Sequence, residues 1–365
     1  MRGPTVALCS YRLGGTDGVS VEAAKWEWAL RTLGFEVRRV AGDFGDGLRP
    51  DDVWLGFLAI DPPDGVAPEP DALAAALAGI DLVVVENLCS LPLNVEAATV
   101  AADVLARHDG RVLFHHHDLP WERPHLADID AFPPRRPNSL HVTINEQARD
   151  ALSNRGIDSV VIRNAFDLDP EPGSRDTTRR AFGFADHDLV VLQPTRAIPR
   201  KEVGAGIAFA ESVRASLDAD HRDRVVRFWI TGPPEDGFDA ELDRLIEAAA
   251  IPVTVGRAPS PADAYAAADL VVLPSSWEGF GNPVIEALVA GRPLAAARYP
   301  VLEELLDLGL TIPDLQDPSA VARLIDQPDT RADASNRACM RTHFDLADLP
   351  DRIRTTLAGI GWDRW

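Results

Sequence analysis

A glycine-rich turn in the last third of the chain has the residue types needed to bind a phosphate. In SSWEGFGNPVIEALVAGRP, residues 275–293, Gly279 and Gly281 follow an apolar run that predicts a strand. Asn282 and Pro283 then have the preferences of a helix cap and a first helical residue. Glycine lets a ligand approach the backbone, and the free amides at a helix start attract anions. The turn therefore predicts a diphosphate site.

Two glutamates flank this turn. Glu278 precedes it, and Glu286 lies about one turn into the helix. A carboxylate repels phosphate but accepts hydrogen bonds from hydroxyls, so sugar hydroxyls are the expected partners. Alternatively, Glu286 only favours the positive helix end and Glu278 is solvated. The spacing leaves both interpretations open.

A basic cluster is the second candidate for phosphate chemistry. Arg196, Arg200 and Lys201 follow another predicted strand in QPTRAIPRKE, within a chain whose net charge is -21. Such cations can neutralise a leaving diphosphate as its negative charge develops. The alternative is a run of solvated surface charges.

The first predicted strand ends at Gly14 and Gly15, before an amphipathic helix. The segment lacks the full dinucleotide fingerprint, so an NAD site is not expected. The two glycines either make a tight turn or present backbone amides to a ligand.

Three consecutive histidines and Asp118 end a further predicted strand. Because side chains alternate along a strand, His115 and His117 share one side and His116 points to the other. A metal site would need His115 and His117 to converge with Asp118, or with a remote ligand such as His141. The alternation disfavours a three-histidine metal site, and we expect no bound metal.

Composition restricts the class of protein. With 365 residues and 46% hydrophobic content, the chain is long enough for two domains. Its acidity disfavours nucleic acid and anionic membranes as partners. Three widely spaced cysteines indicate neither a disulfide framework nor a zinc cluster. No stretch approaches the roughly 20 apolar residues of a membrane span, so we expect a cytoplasmic protein with small soluble ligands.

Apolar runs alternate with helical patterns in two series, first from TVALCSY to SVVIRNAF and then from LVVLQPT to PLAAAR. This alternation predicts parallel sheets covered by helices. The polar stretch 167–188 is the predicted interdomain connection. The simplest assembly is an α/β protein with two doubly wound domains that face each other across a cleft. Ligands are then expected at the carboxyl ends of the strands.

Four segments together resemble the retaining glycosyltransferases of family four (glycosyl transferases group 1): GGTDGVS, VVIRNAFDLD, PTRAIPRKE and EGFGNPVIEALVAGRP. The resemblance covers nearly the whole chain and implies the GT-B fold of two facing Rossmann-like domains. It implies an acceptor-binding domain over 1–165, completed by a C-terminal helix at 346–365, and a nucleotide-sugar-binding domain over 166–345. Thr195 departs from the family pattern, which usually has glycine at that position.

The resemblance also implies roles for individual residues. Glu286 is expected to hold the nucleotide ribose, and Glu278 to lie near the donor sugar. The implied catalytic set is His117, Asp118, Arg196, Lys201 and Glu278. The implied donor-binding set is Gly15, Arg196, Lys201, Glu278, Phe280, Gly281, Asn282 and Glu286. The implied acceptor-binding set is Gly14, Gly15, His117 and Arg123. The segment Trp121-Glu122-Arg123 resembles members with glycerate-type acceptors, in which case Arg123 would pair with an acceptor carboxylate or phosphate.

The implied activity is retaining transfer of a hexosyl group from a nucleotide-diphosphate sugar to a hydroxyl of a small soluble or saccharide acceptor. No metal and no cofactor is expected. One alternative is a non-catalytic nucleotide-sugar-binding protein of the same fold. Another is a sugar phosphorylase or epimerase, although phosphorylases hold pyridoxal phosphate on a lysine and the chain has only Lys25 and Lys201.

Overall fold

A computed structural model of the chain describes residues 3–123, 126–217 and 224–362. The chain divides into two compact units. The first unit comprises Met1–Ala165 and Asp345–Trp365, and the second comprises Phe166–Phe344. Residues 363–365 of the predicted C-terminal segment lie outside the described residues.

The described part of the first unit contains a seven-stranded sheet in which all paired strands are parallel. Its strands are β1 (Thr5–Leu13), β2 (Glu36–Phe44), β3 (Val53–Trp54), β4 (Leu82–Glu86), β5 (Arg111–His116), β6 (Ser139–Thr143) and β7 (Ser159–Val161). Their order across the sheet is β3-β2-β1-β4-β5-β6-β7. The helices between them are α1 (Gly18–Thr32), α2 (Pro70–Leu77), α3 (Val95–Ala106) and α4 (Glu146–Ser153).

The described part of the second unit contains a five-stranded parallel sheet. Its strands are β8 (Leu189–Gln193), β9 (Val226–Ile230), β10 (Val253–Val255), β11 (Leu270–Leu273) and β12 (Leu294–Ala296), in the order β10-β9-β8-β11-β12. Its helices are α5 (Arg175–Ala181), α6 (Val203–Ser216), α7 (Asp239–Ala248), α8 (Pro261–Ala267), α9 (Asn282–Val289), α10 (Pro300–Asp307), α11 (Pro318–Asp326) and α12 (Thr330–His343).

The two sheets confirm the predicted doubly wound α/β class. The central strands β4 and β8 are buried along their whole length, as expected for strands covered by helices on both faces. Strand order reverses between β1 and β4 in the first sheet and between β8 and β11 in the second. Ligand sites in such sheets lie at the carboxyl ends of these strands, so the loops there are the candidates for function.

The placement of the interdomain connection within 167–188 is wrong. The chain already belongs to the second unit at Phe166, and α5 forms within the polar stretch. Contacts of the Arg179 side chain hold α5 in place. Arg179 is 1% exposed, and its guanidinium donates to the carboxylate of Asp269 and to the backbone oxygen of Ala267. A buried guanidinium of this kind anchors α5 to the sheet. The charge of Arg179, within the polar stretch 167–188, is therefore not a solvated surface charge.

The last described helix, α13 (Leu349–Gly359), returns to the first unit. Its buried residues Leu349, Ile353 and Leu357 belong to the same apolar cluster as Trp26 and Leu30 of α1. The first unit therefore has a core to which both ends of the chain contribute. Within the described residues, no helix has both the length and the apolar character needed to cross a membrane.

This packing makes Ile353→Ala a test of α13. Ile353 is 1% exposed, and removing a buried isoleucine side chain costs about 2–5 kcal/mol. We expect faster hydrogen exchange, followed by mass spectrometry, in peptides from the first unit but not from the second. Ile360→Ala is the matched control, because Ile360 is 43% exposed and should cost no more than about 0.5 kcal/mol. Equal effects of the two variants would contradict the packing.

Candidate active site

In the second unit, the loops after β8 and β11 meet through an ion-pair cluster. Glu278 Oε1 accepts from Lys201 Nζ, and Glu278 Oε2 lies 3.0 Å from Arg200 Nη1. The backbone amide of Ser276 donates to the carbonyl oxygen of Arg200 over 3.1 Å. The side-chain amide of Gln193 donates to the carbonyl oxygen of Lys201 over 2.8 Å. Two residues of the predicted basic cluster, Arg200 and Lys201, thus meet the first predicted glutamate at the carboxyl ends of neighbouring strands.

The cluster is largely removed from water, since Lys201 is only 7% exposed. Burial acts to raise the pKa of Glu278, but Lys201 and Arg200 outweigh it and hold that pKa below its ordinary value. Burial lowers the pKa of Lys201, which Glu278 partly offsets. Two cations therefore share one ionised carboxylate, and the excess positive charge suits an anionic ligand.

The other predicted phosphate residue, Arg196, lies outside this cluster. Its Nη1 is 2.6 Å from Glu235 Oε2, and both side chains are well exposed at 45% and 40%. Thr195, at the position where the family pattern has glycine, is buried, and its hydroxyl accepts from the Gln193 side-chain amide over 3.1 Å. The departure from the pattern is thus accommodated by a hydrogen bond within the loop.

The helix α9 begins one residue earlier than the sequence predicts, with Asn282 and Pro283 as its first two residues and Gly281, not Asn282, as its cap. Its cap, Gly281, has a φ of 91°, and a Cβ there would lie 2.3 Å from the Tyr299 hydroxyl oxygen. The Phe280 side chain is buried and packs on Phe166 and Phe344, so only the Phe280 backbone is available to a ligand.

Glu286 has a buried partner that the sequence interpretation missed. The Tyr265 hydroxyl donates to Glu286 Oε2 over 2.7 Å. Burial, with the adjacent glutamate, raises the pKa of Tyr265 well above its ordinary value, so the phenol stays protonated and donates. One of the two carboxylate oxygens is thereby fixed. The only signal in the sequence was a tyrosine among alanines in PADAYAAADL.

In the first unit, the glycine-rich loop after β1 packs tightly on its surroundings. Gly14 has a φ of +70°, and a Cβ there would lie 1.8 Å from Asp46 Oδ1. Asp46 is fixed in turn by Arg39, whose Nη1 is 2.9 Å away. A Cβ on Gly15 would lie 2.9 Å from Asp17 Oδ2, the cap of α1. Tight packing alone therefore accounts for glycine at position 14.

The three histidines alternate as predicted. His115 Nδ1 and His117 Nε2 each lie 2.8 Å from Glu86 Oε2. His116 faces the other side, where its Nδ1 is 2.6 Å from Ser90 Oγ and its Nε2 is 2.9 Å from His141 Nδ1.

Glu86 was missed by sequence reasoning, although a glutamate that ends the apolar run LVVVE was a readable signal. It is 0% exposed and lies opposite His115 in the register of β4 and β5. Burial acts to raise the pKa of Glu86, but the two histidines lower it to about 2, so the carboxylate is ionised.

His117 differs electrostatically from its neighbours. Burial lowers the pKa of His115 and of His116. Burial acts in the same direction on His117, but Glu86, with Glu22 and Asp118, raises its pKa above the ordinary value. Of these three histidines, His117 is the one whose surroundings favour the protonated ring.

Around Asp118, one longer ion pair and several hydrogen bonds hold the neighbouring residues. Arg123 Nη2 is 3.4 Å from Asp118 Oδ1. The amides of His117 and Asp118 both donate to the side-chain oxygen of Asn87, over 3.1 and 3.2 Å. Burial and the neighbouring Asp118 raise the pKa of Glu122 to about 8, and its carboxyl group accepts from the Leu119 amide.

The two further ligands that a metal site would have needed besides His115 and His117 are held elsewhere. His141 lies with His116 on the opposite side of the strand, and Asp118 pairs with Arg123. The carboxylate that joins His115 and His117 is Glu86, and the ligand atoms of these three side chains lie within 4.8 Å of one another.

Solved structures with the same architecture identify the fold. A structure of HepE from Anabaena in complex with UDP and glucose matches with a TM-score of 0.70 and 20% identity, over 98% of this chain and 99% of that chain. Sucrose-phosphate synthase from Thermosynechococcus elongatus matches with a TM-score of 0.72 and 18% identity, over 98% and 99% of the two chains. The chain has the GT-B fold of glycosyltransferases, with two Rossmann-like domains.

Sequence comparisons relate the chain to one class of glycosyltransferases. Residues 200–327 match the family described as Glycosyl transferases group 1. Mannosylglucosylglycerate synthase from Petrotoga mobilis is 26% identical, over 85% of this chain and 86% of that protein. The enzyme of the same name from Thermotoga maritima is 28% identical, over 86% and 85%. The chain is thus similar to group 1 glycosyltransferases, through a family match within its second unit and through relatives that align with most of its length.

Gly281→Ala tests the cap of α9. A Cβ at a positive φ costs about 1–2 kcal/mol, and the Tyr299 hydroxyl adds a clash. Gly291→Ala is the control, since Gly291 also has a positive φ but nothing lies within 4 Å of its Cβ position. We expect urea unfolding to show the larger loss of stability for Gly281→Ala. Tyr299→Phe should reduce that loss in a double-mutant cycle, and an unchanged loss would contradict the clash.

Proposed function

We propose that the protein is a retaining hexosyltransferase that uses a nucleoside diphosphate sugar and glycosylates a hydroxyl of a small, carboxylate-bearing acceptor. The observation that supports it most is the Lys201–Arg200–Glu278 cluster at the carboxyl ends of β8 and β11. It combines cations for a diphosphate with carboxylate oxygens for sugar hydroxyls.

The second unit would hold the donor. Lys201 exchanges its contact with Glu278 for a contact with the diphosphate, while Arg200 continues to neutralise Glu278. The N-terminal end of α9 attracts the same anion, because the helix dipole places partial positive charge there. Arg196 reaches it by leaving its exposed pair with Glu235, which is weak in water.

The rest of the donor would be held by carboxylates and backbone. Tyr265 fixes one oxygen of Glu286, so the carboxylate is oriented before the nucleotide ribose arrives. The backbone of Phe280, Gly281 and Asn282 lines the donor sugar. Structures of HepE from Anabaena with UDP and with UDP-glucose make uridine the first nucleotide to test.

Catalysis would rest on positioning and on charge stabilisation. The acceptor hydroxyl attacks the anomeric carbon from the face that the diphosphate leaves. A new carbon–oxygen bond forms as the bond to the diphosphate breaks, and a diphosphate oxygen takes the acceptor proton. Lys201 and Arg196 stabilise the charge on the leaving group, so this scheme requires neither a carboxylate nucleophile nor a metal.

The first unit would hold the acceptor through His117 and Arg123. The names of the relatives from Petrotoga mobilis and Thermotoga maritima describe a product with mannosyl, glucosyl and glycerate parts, and glycerate has a carboxylate. The Arg123 side chain is 28% exposed and its contact with Asp118 is long, at 3.4 Å. A guanidinium in that position can pair with an acceptor carboxylate in a bidentate manner.

The alternatives of similar fold have less support. A phosphorylase needs a lysine for pyridoxal phosphate, yet Lys25 is paired with Glu22 and Lys201 with Glu278. A non-catalytic binding protein would bind a nucleotide sugar without transferring or slowly hydrolysing it. The activity assays below separate that outcome from transfer.

Lys201→Met tests the donor site. UDP, GDP and ADP and their glucose and mannose conjugates are first compared by thermal shift, and the best donor is assayed with a panel of acceptors. We expect kcat/KM to fall by about 10²-fold or more, as when an electrostatic contact to a leaving group is lost. Arg244→Met is the control, because Arg244 is 72% exposed in the same unit. Unchanged turnover in Lys201→Met would refute this donor site.

Arg123→Gln tests the acceptor class. Losing a charged hydrogen bond should raise KM for a carboxylate-bearing acceptor by roughly tenfold or more. KM for the same acceptor with the carboxylate reduced to an alcohol should stay nearly constant. Arg354→Gln, at a 64% exposed position of the first unit, serves as control. Equal rises in KM for both acceptors would show that Arg123 does not recognise the carboxylate.

A further inference from the structure

The geometry of Glu86 fixes the hydrogens on two histidine rings. Its Oε2 lies 2.8 Å from both His115 Nδ1 and His117 Nε2. An ionised carboxylate has no hydrogen to donate, so both ring nitrogens must be the donors. His117 therefore bears a hydrogen on Nε2, and its other nitrogen, Nδ1, is a hydrogen-bond acceptor whenever the ring is neutral.

We propose that Glu86 is a positioning residue that holds His117 through Nε2 and so presents Nδ1 as the acceptor of a hydrogen bond from the substrate hydroxyl. The inference rests on the proposed function, which assigns His117 to the acceptor. Glu86 orients the ring and selects its tautomer, as a buried carboxylate does for histidine in hydrolytic triads. Nδ1 orients the hydroxyl without taking its proton, which passes to the leaving diphosphate.

Because Glu86 and His117 are both buried, the charge of Glu86 acts strongly on the His117 ring. Glu86 is 0% exposed and the His117 side chain is 5% exposed, so water does not screen the carboxylate from the ring. The rings of His115 and His117 lie 4.3 Å apart, and the Trp26 ring lies 4.3 Å from that of His115. The His117 ring therefore packs against His115, which Trp26 covers in turn.

The charged surroundings of His117 determine the direction of its pH response. Its neighbours are Glu22 of α1, which binds Lys25, Glu86 of β4, His115 of β5, and the adjacent Asp118, which pairs with Arg123. Glu86, Glu22 and Asp118 all raise the pKa of His117. Removing the Glu86 charge leaves two of these carboxylates, so the pKa should fall only in part.

A metal ion is a different explanation for the same three side chains, but the distances favour hydrogen bonds. Tetrahedral zinc with bonds of about 2.0–2.1 Å separates its ligand atoms by about 3.3 Å. The two nitrogen–oxygen distances here are both 2.8 Å, which is the length of an N–H···O bond. The metal content of the purified protein therefore belongs in the test.

The first measurement needs no assay of activity. Histidine rings labelled with nitrogen-15 and carbon-13 are titrated by NMR in the wild-type protein, with His117→Asn to assign the signals. We expect the tautomer with hydrogen on Nε2. In Glu86→Gln the pKa of His117 should fall by about one unit, because a nearby charge and a charged hydrogen bond are lost. Glu27→Gln, a buried carboxylate of α1 paired with Arg31 and Arg49, is the matched control and should leave that pKa unchanged.

The second measurement is the pH profile of kcat/KM for glycosyl transfer. A neutral His117 is the active form, so the acid limb of the profile reports its pKa. In Glu86→Gln that limb should move to lower pH, while kcat/KM on the plateau falls by about tenfold or more because the ring is no longer held. A merely structural role would lower thermal stability without moving the limb.

Several outcomes would overturn the inference. These are a tautomer with hydrogen on Nδ1, a His117 pKa that is the same in Glu86→Gln, or a stoichiometric metal ion lost in that variant. If Glu86→Gln does not fold, the His117 tautomer measured in the wild-type protein still tests the inference. A wild-type protein without transferase activity would refute the proposed function, whereas the NMR titration would still test the contact between Glu86 and His117.

Discussion

A parallel sheet covered by helices on both faces leaves little room for polar side chains except where its strands end. In β4 the apolar run stops at Glu86, and in β8 it stops at Gln193. The polar residues discussed above follow this rule: the cations lie just after β8, Glu278 lies after β11, and the histidines end β5. These groups lie at the edges because the two central strands stay apolar until their last residue.

Polar groups at such edges are only partly hydrated, and the chain compensates by pairing charges. Glu278 is neutralised by Lys201 and Arg200, and Glu86 by hydrogen bonds from two imidazoles. A buried charge without such partners would cost several kcal/mol. The two clusters differ in what they leave for a ligand. The first has more positive than negative charge, which suits a phosphate, whereas the second has a histidine whose protonation can respond to its surroundings.

The alternating pattern of apolar runs and helices was enough to predict both sheets, the start of α9 to within one residue and the sides of the strand on which the histidines lie. These features are determined by residues that lie close together in the sequence. Contacts between distant residues were not predictable. Glu86 is 29 residues from His115, Glu235 is 39 from Arg196, and Tyr265 is 21 from Glu286. The helix α5 was missed for the same reason, because the partner of its Arg179 is Asp269, 90 residues further along the chain.

The return of α13 to the first unit has a consequence for synthesis on the ribosome. Domains of a nascent chain generally fold in order from the N-terminus. Here the second unit is a continuous segment, Phe166–Phe344, whereas the apolar cluster of the first unit includes Leu349, Ile353 and Leu357. The unit whose translation begins first is therefore the last to complete its core. Until α13 leaves the exit tunnel, the surface that it covers on α1 is exposed, and this is the stage at which the growing chain most needs protection from aggregation.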